Sequence, residues 1–203
     1  MDADQTPIPP ISLPPEGSRA EKMLLDVVAE LRRQGNVNRS LRQIATGIGT
    51  SHRMLQYYFG TREHLLSLVM LQLSKEYIAR LSPIPPQNRA ERIQRTWDMF
   101  RDPNNRLQTQ LLFVLASSAA ERPDVELPGL RHDLDAFAHY LARLGEEEGL
   151  SRQIAEEEGR YIIASLLGLY LDFFISKDSA RVDESFATLK RWVQNSTDAA
   201  ARR

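Results

Sequence analysis

The sequence predicts an all-α fold of about nine helices, a small N-terminal head joined to a larger helical body. Three observations predict it. Capping residues stand ahead of apolar runs at helical spacing, as in Ser18 with Glu21, Ser40 with Gln43 and Asn88 with Glu91. No stretch shows the period-two alternation of β-branched residues that marks a strand. Near the start, two short helices of about eight residues flank a turn containing Gly49.

The elements follow in order. Residues 1–17 hold five prolines and few large apolar residues, which predicts a flexible, proline-rich arm. Ser18 opens a helix carrying Leu24, Val28 and Leu31 that Gly35 stops. Ser40 caps a second helix ending near Gly47, and Ser51 a third ending at Phe59-Gly60. A longer helix begins at Thr61, carries Leu65, Leu68, Val69, Leu71 and Leu73, and stops before Pro83-Ile84-Pro85-Pro86. Further helices are expected from Asn88 to before Pro103, and over about 105–121, 128–148, 151–176 and 183–195. The domain reading is an arm over 1–17, a head over 18–66 and a body over 67–203.

Composition narrows the function. The chain is 42% apolar and 26% charged, as an ordinary globular protein is. It has no cysteine, which removes disulfides, thiolate metal sites and cysteine nucleophiles. The opening MDADQTPIPP lacks the basic and apolar regions of a signal peptide. The apolar run from Ile162 to Ile175 is broken by Asp172 and shorter than the roughly 20 residues of a membrane span, so a cytoplasmic protein without membrane contact is expected. The net charge of −1 hides an asymmetry: −3 over residues 1–17, +4 over 18–66 and −2 over the remainder. A basic segment on an acidic body suits a polyanion-binding head.

The region around Gly49 carries the chemistry. Leu41, Ile44 and Ala45 form the apolar face of the first short helix, Ile48 plugs the turn, and Leu55 and Phe59 face inward from the second. His52, Arg53, Gln56 and Tyr57 are left outward at the N-terminal part of a helix, where a recognition helix meets base edges in the major groove. Arg53 can pair bidentately with guanine, His52 and Gln56 can hydrogen-bond bases, and Met54 can touch a thymine methyl. Ser40, Arg42 and Arg62 are expected along the phosphates, with Thr50 and Ser51 in the same surface. Two of these residues keep alternatives: Arg62 pairing with a carboxylate, and Tyr57 packing on the following helix.

The run LRQIATGIGTSHRMLQYYFGTREHLL, residues 41–66, resembles the DNA-binding motif of TetR-type bacterial regulators without a gap. The matching positions are Ile44-Ala45, Gly49, Ser51, Leu55, Tyr57, Phe59-Gly60, Arg62 and Leu65-Leu66. The resemblance implies a three-helix helix-turn-helix head, a connecting fourth helix and a ligand-binding body that dimerises through its last two helices. Implied partners are double-stranded DNA with a palindromic operator, a small-molecule effector and a second copy of the chain. The family usually has a small residue where Ile48 stands, valine where Thr50 stands, and a phosphate-contacting tyrosine where Gln56 stands. Either Tyr57 takes that backbone contact or Gln56 reads a base.

In the body, residues 161–175 (YIIASLLGLYLDFFI) are apolar nearly all round, and such a helix must be covered on every side. Ala164 and Gly168 would allow a close helix crossing. A dimer interface is expected at Leu166, Leu169, Tyr170, Phe173, Phe186, Leu189 and Val193, with Trp192 beside that stripe. A mostly apolar ligand is expected among Trp97, Phe100, Phe113, Phe137, Tyr140, Tyr161 and Phe173, each of which could instead be core. His132, Asp135 and His139 share a helix face, as an outward polar face explains, and Glu146–Glu148 with Glu156–Glu158 read as a solvated acidic patch. No metal or cofactor is expected. Nor is an enzyme: none of the four histidines follows a glutamate by three residues, and Gly-x-Ser-x-Gly and phosphate-loop motifs are absent. A helical module binding proteins through its head is the rival reading, separable by salt-dependent binding to duplex DNA.

Overall fold

Why these residues form helices is visible at their ends in the computed structural model, which describes residues 11–81, 88–121 and 128–200. Ser18 Oγ accepts from the Glu21 N–H at 3.0 Å and opens α1 (Arg19–Gln34), which Gly35 closes in the left-handed conformation at φ 62°. The reciprocal half of this cap differs from expectation: Glu21 accepts from the Gly17 N–H, at 2.6 Å, because Pro15 C=O already takes the Ser18 N–H. The box at Ser40 and Gln43 is complete and opens α2 (Leu41–Gly47). Then come α3 (His52–Phe59), α4 (Arg62–Leu81), α5 (Arg89–Arg101), a single 3-10 turn (Pro103–Asn105), α6 (Arg106–Glu121), α7 (Pro128–Glu147), α8 (Arg152–Ser176) and α9 (Ser179–Ala200). The fold is all-α, with no strand among the described residues.

The last helix is longer than expected at both ends. Asp178 supplies the start, its Oδ1 accepting from the Arg181 N–H at 3.1 Å. Beyond Asn195 the chain stays helical, and Ser196 and Thr197 donate to Glu158 and Glu148 at 2.5 and 2.6 Å. Residues 1–10 of the arm, the prolines at 83, 85 and 86, and the His132 side chain lie outside the described residues.

The chain divides into two compact units. The first comprises α1–α4, α6 and the start of α7. Its core is built from Leu24, Val27, Val28 and Leu31 of α1, Ile44, Leu55 and Phe59, a continuous buried run from Leu65 to Leu73 on α4, and Leu107, Leu111 and Leu115 of α6. Each such side chain contributes about 1.5–3 kcal/mol on burial. Two polar ties hold α1 within this unit: Arg32 pairs with Glu76 of α4 at 2.5 Å, and the Gln110 amide of α6 donates to Gly35 C=O at 3.0 Å.

The second unit comprises α5, most of α7, α8 and α9. Its centre is a fully buried cation, Arg89. The guanidinium meets Glu158 at 2.7 Å and Glu148 at 3.5 Å, while the Arg89 N–H donates to Glu148 at 2.5 Å. Glu148 and Glu158 are therefore half-buried clasps between α5, α7, α8 and α9, a correction to the solvated acidic patch. A charge this deep persists only because each partner is hydrogen-bonded in turn.

As one helix of 25 residues, α8 is long and apolar enough to cross a membrane by length and composition alone, while its apolar run over 162–175 is interrupted by Asp172. Among the residues expected to meet a second copy, Leu166, Tyr170, Phe186, Leu189 and Val193 are buried within their own protomer, and Leu169 and Phe173 are half-buried. The exposed apolar face of α8 is the other one. It carries Ile154, Tyr161, Ala164, Gly168, Leu171 and Ile175, spaced by seven, three, four, three and four residues.

Where α8 crosses α7, a Cβ on Gly159 would lie 2.5 Å from the Ala138 carbonyl oxygen. Backbone on both sides cannot yield as a side chain can. Gly159→Ala should therefore destabilise by about 1–3 kcal/mol in denaturant unfolding, although helix propensity alone favours alanine.

Candidate nucleic-acid interface

The helix-turn-helix is set by its turn. Gly49 sits at φ 69°, in the left-handed region where a Cβ is strained, and Thr50 N–H reaches back to Ala45 C=O at 2.9 Å. Ile44, Ala45, Leu55 and Phe59 are buried, so the inward face of α3 is fixed on α2. By helical geometry the opposite face is then presented outward. His52, Arg53, Gln56 and Tyr57 are all exposed, Tyr57 at 79%. That excludes packing of Tyr57 on α4; its ring instead meets Tyr58 edge to face at 5.1 Å. Thr50 and Met54 are half-buried at the rim, and Ser40, Arg42 and Ser51 are exposed. Ser40 and Ser51 accept helix-capping N–H bonds at Oγ, which leaves each hydroxyl proton free for an outside acceptor.

The basic residues of the head divide into two sets. Arg33 and Arg39 close on Glu30, and Arg32 on Glu76. Arg42 and Arg53 make no ion pair or side-chain hydrogen bond among the described residues, so their charge is open to an external anion. Arg62 belongs to the first set. Its Nε donates to Arg39 C=O at 2.8 Å and its Nη2 to Val37 C=O at 2.9 Å, with Glu63 at 4.0 Å. The phosphate contact expected of Arg62 gives way to a bracing role on the α1–α2 connection.

Sequence reasoning missed the group beneath this surface. Glu30 is buried to 4% exposure and accepts from Arg33 at 2.5 Å, Arg39 at 2.7 Å and Gln34 at 3.1 Å. The Arg33 hydrogen bonds hold its carboxyl below the ordinary carboxylate value; burial opposes them, and Arg39 adds to the lowering. A Cβ at Gly47, the last residue of α2, would come within 2.2 Å of Glu30 Oε1. Glu30 stands seven residues after Met23 and three after Val27, on the apolar face of α1, and that misplaced charge was the available signal.

The aromatic ligand candidates do not gather in one described place. Trp97 stacks on Phe186 at 4.9 Å beside a cleft between α5 and α9 that takes none of the other six among its lining residues. Phe100 stacks on Tyr170 at 4.9 Å, Phe173 lies under Arg101, and Tyr140 lies under Arg92 at 4.5 Å. Tyr161 is 55% exposed and meets Trp192 edge to face. Phe137 is half-buried in the second unit, and Phe113 half-buried in the first. Asp135 of the suggested metal face pairs with Arg160 at 2.5 Å.

No family model matches the chain, and no curated protein is detectably similar to it. A solved structure from Pseudomonas aeruginosa PAO1, described as a "putative transcriptional regulator", shares its fold with a TM-score of 0.62 and 20% identity, covering 91% of this chain and 93% of that one. At that identity the likeness establishes the all-α architecture over nearly the whole chain.

Glu30 and Arg62 give a test of how the residues around α2 and α3 are held together. A carboxyl whose folded pKa is depressed stabilises fully above its unfolded value, near 4.5, and that contribution is lost as pH falls through the folded value. Glu30→Gln should lower the melting temperature at neutral pH and flatten the acid limb of the stability profile below pH 4.5. Arg62→Ala, which strands the Arg39 carbonyl and leaves the Val37 carbonyl with the Arg39 N–H alone, should cost about 1–3 kcal/mol in unfolding experiments.

Proposed function

We propose that the chain is a cytoplasmic, dimeric, sequence-specific DNA-binding regulator of the TetR type, a repressor released from a palindromic operator by a small-molecule effector, and not an enzyme. One observation carries the DNA reading: the outward face of α3 is a row of exposed donors, next to an Arg42 and an Arg53 that nothing else in the described structure neutralises. Arg53, His52 and Gln56 enter the major groove, Tyr57 stacks or bonds at its edge, and Arg42, Ser40 and Ser51 lie along phosphates. The neighbour of the same fold, itself described as a regulator, supports the class.

The dimer in this reading closes the exposed stripe of α8. Residues at alternating three- and four-residue spacing form one seam of a helix, and Gly168, around whose added Cβ nothing lies within 4 Å, lets a second backbone approach. Two-fold pairing of a stripe with itself makes an isologous contact, and the paired heads then match two half-sites about one DNA turn apart. An effector acts by favouring a head arrangement that misfits this spacing. A difference of about 1–3 kcal/mol releases DNA 5–150-fold. The path within the first unit runs through α4 and α6, which grip α1 at Glu76–Arg32 and Gln110–Gly35.

Sequences selected from random duplex DNA should share an inverted repeat. On that site Arg53→Ala should cost about 1–3 kcal/mol and relax preference at one position. Arg42→Ala should weaken all duplexes alike and lower the salt slope by about one unit. If both variants weaken every duplex equally, the division into reader and anchor is wrong. Leu171→Glu, on the exposed stripe, should yield well-folded monomers by light scattering with much weaker operator binding. A wild-type monomer at micromolar concentration would remove the dimer.

A further inference from the structure

Two arginines of α5, one helical turn apart, are buried in the second unit, and they are treated differently. Arg89 is met by Glu148 and Glu158. Arg92 is only 8% exposed, yet it makes no ion pair or side-chain hydrogen bond among the described residues. Its Nε is sealed from solvent without a partner, whereas the terminal nitrogens, equally unpartnered, keep some contact with solvent. What lies against the guanidinium is the ring of Tyr140 on α7, with Cζ 4.5 Å from the ring centre.

A ring face attracts a cation but offers no acceptor to the donors in the guanidinium plane. A buried arginine ordinarily ends on a carboxylate, whose two oxygens match its planar fork of donors. Burying the charge without that partner is unfavourable. The surroundings show what Arg92 is held for. Tyr140 is half-buried, and its hydroxyl makes no hydrogen bond among the described residues, so a second donor stands open beside the guanidinium. Arg143, one turn along α7, lies 5.4 Å from the same ring centre and meets Glu147 only at 3.8 Å. The acid next to Arg92 in the chain, Glu91, is turned to Arg95 instead. Phe137 shares the α7 face with Tyr140 and is half-buried, so apolar surface borders this group of donors. An organic acid suits that border better than a bare inorganic anion.

We propose that Arg92 and Tyr140 form the recognition point for the carboxylate of a small organic acid. The Arg92 fork donates bidentately to the carboxylate, the Tyr140 hydroxyl donates to one of its oxygens, and Arg143 adds positive potential at the outer edge. The site gives the effector of the regulator reading a chemical class, and rests on that reading only for what binding does to DNA.

Calorimetry on the DNA-free full chain, in phosphate-free buffer at constant sodium chloride, tests the site separately from the regulator reading. The probe is benzoate, with benzamide as its uncharged isostere. Benzoate should bind with at least about a tenfold preference over benzamide. Arg92→Met, which keeps the apolar stem over Tyr140, should bring benzoate down to the level of benzamide. Tyr140→Phe, which keeps the ring, should weaken benzoate and leave benzamide unchanged. Benzoate should raise the melting temperature of the wild type and not of Arg92→Met. The proposal is overturned by no benzoate binding up to millimolar concentration, by equal affinities for the two probes, or by benzoate affinity that survives in Arg92→Met. A merely structural Arg92 would lower the melting temperature on substitution and give benzoate no effect in either protein.

Discussion

A carboxylate buried beneath α2 decides how the head is assembled. Glu30 gathers donors from its own helix and from Arg39 on the following connection, and the end of α2 can close on it only because Gly47 has no side chain. Burying a charge is unfavourable unless its hydrogen-bonding capacity is filled, so the arrangement of these groups is strongly constrained. Arg62 adds the second restraint by holding two carbonyls of the same connection. The outward face of α3 inherits its position from both. A head of about 50 residues has little apolar core to spend on orientation, and polar geometry supplies the difference.

A buried charge also organises the second unit, at Arg89. Its partners come from α7, α8 and α9, so one buried cation registers four helices that apolar contact alone would allow to slide. The helix so registered, α8, buries Ile162, Ile163, Leu166 and Tyr170 and leaves a second apolar stripe outside. Scattered apolar residues on a surface are ordinary, but a stripe running from Tyr161 to Ile175 along one helix face is not. In the proposed dimer it is covered by its own symmetry mate. The membrane-like length and composition of α8 then describe a helix whose opposite faces are covered by two different protein surfaces.

The charge of the head separates in a comparable way. Its basic excess is visible in the sequence, but Arg32, Arg33, Arg39 and Arg62 are consumed internally, and Arg42 and Arg53 are the ones left open beside the turn. A count of charges reports neither direction nor partner. Capacity for binding an anion depends on which guanidinium groups already have an acceptor.

The sequence by itself determined the helices, the turn and the outward face of α3. Capping residues, Gly35 and Gly49 act on backbone groups within a few residues, and the alternation of Leu55 and Phe59 with His52, Arg53 and Gln56 follows from 3.6 residues per turn. Tertiary structure decided everything that needs a partner distant in the chain. It turned Arg62 inward, drew Glu148 and Glu158 to Arg89, and extended α9 through Ser196 and Thr197. It also chose which side of α8 is spent on the core. A helix apolar all round carries no periodic signal to say which face its own protomer takes, so Leu166 and Leu171 are distinguishable only once α7 and α9 are in place.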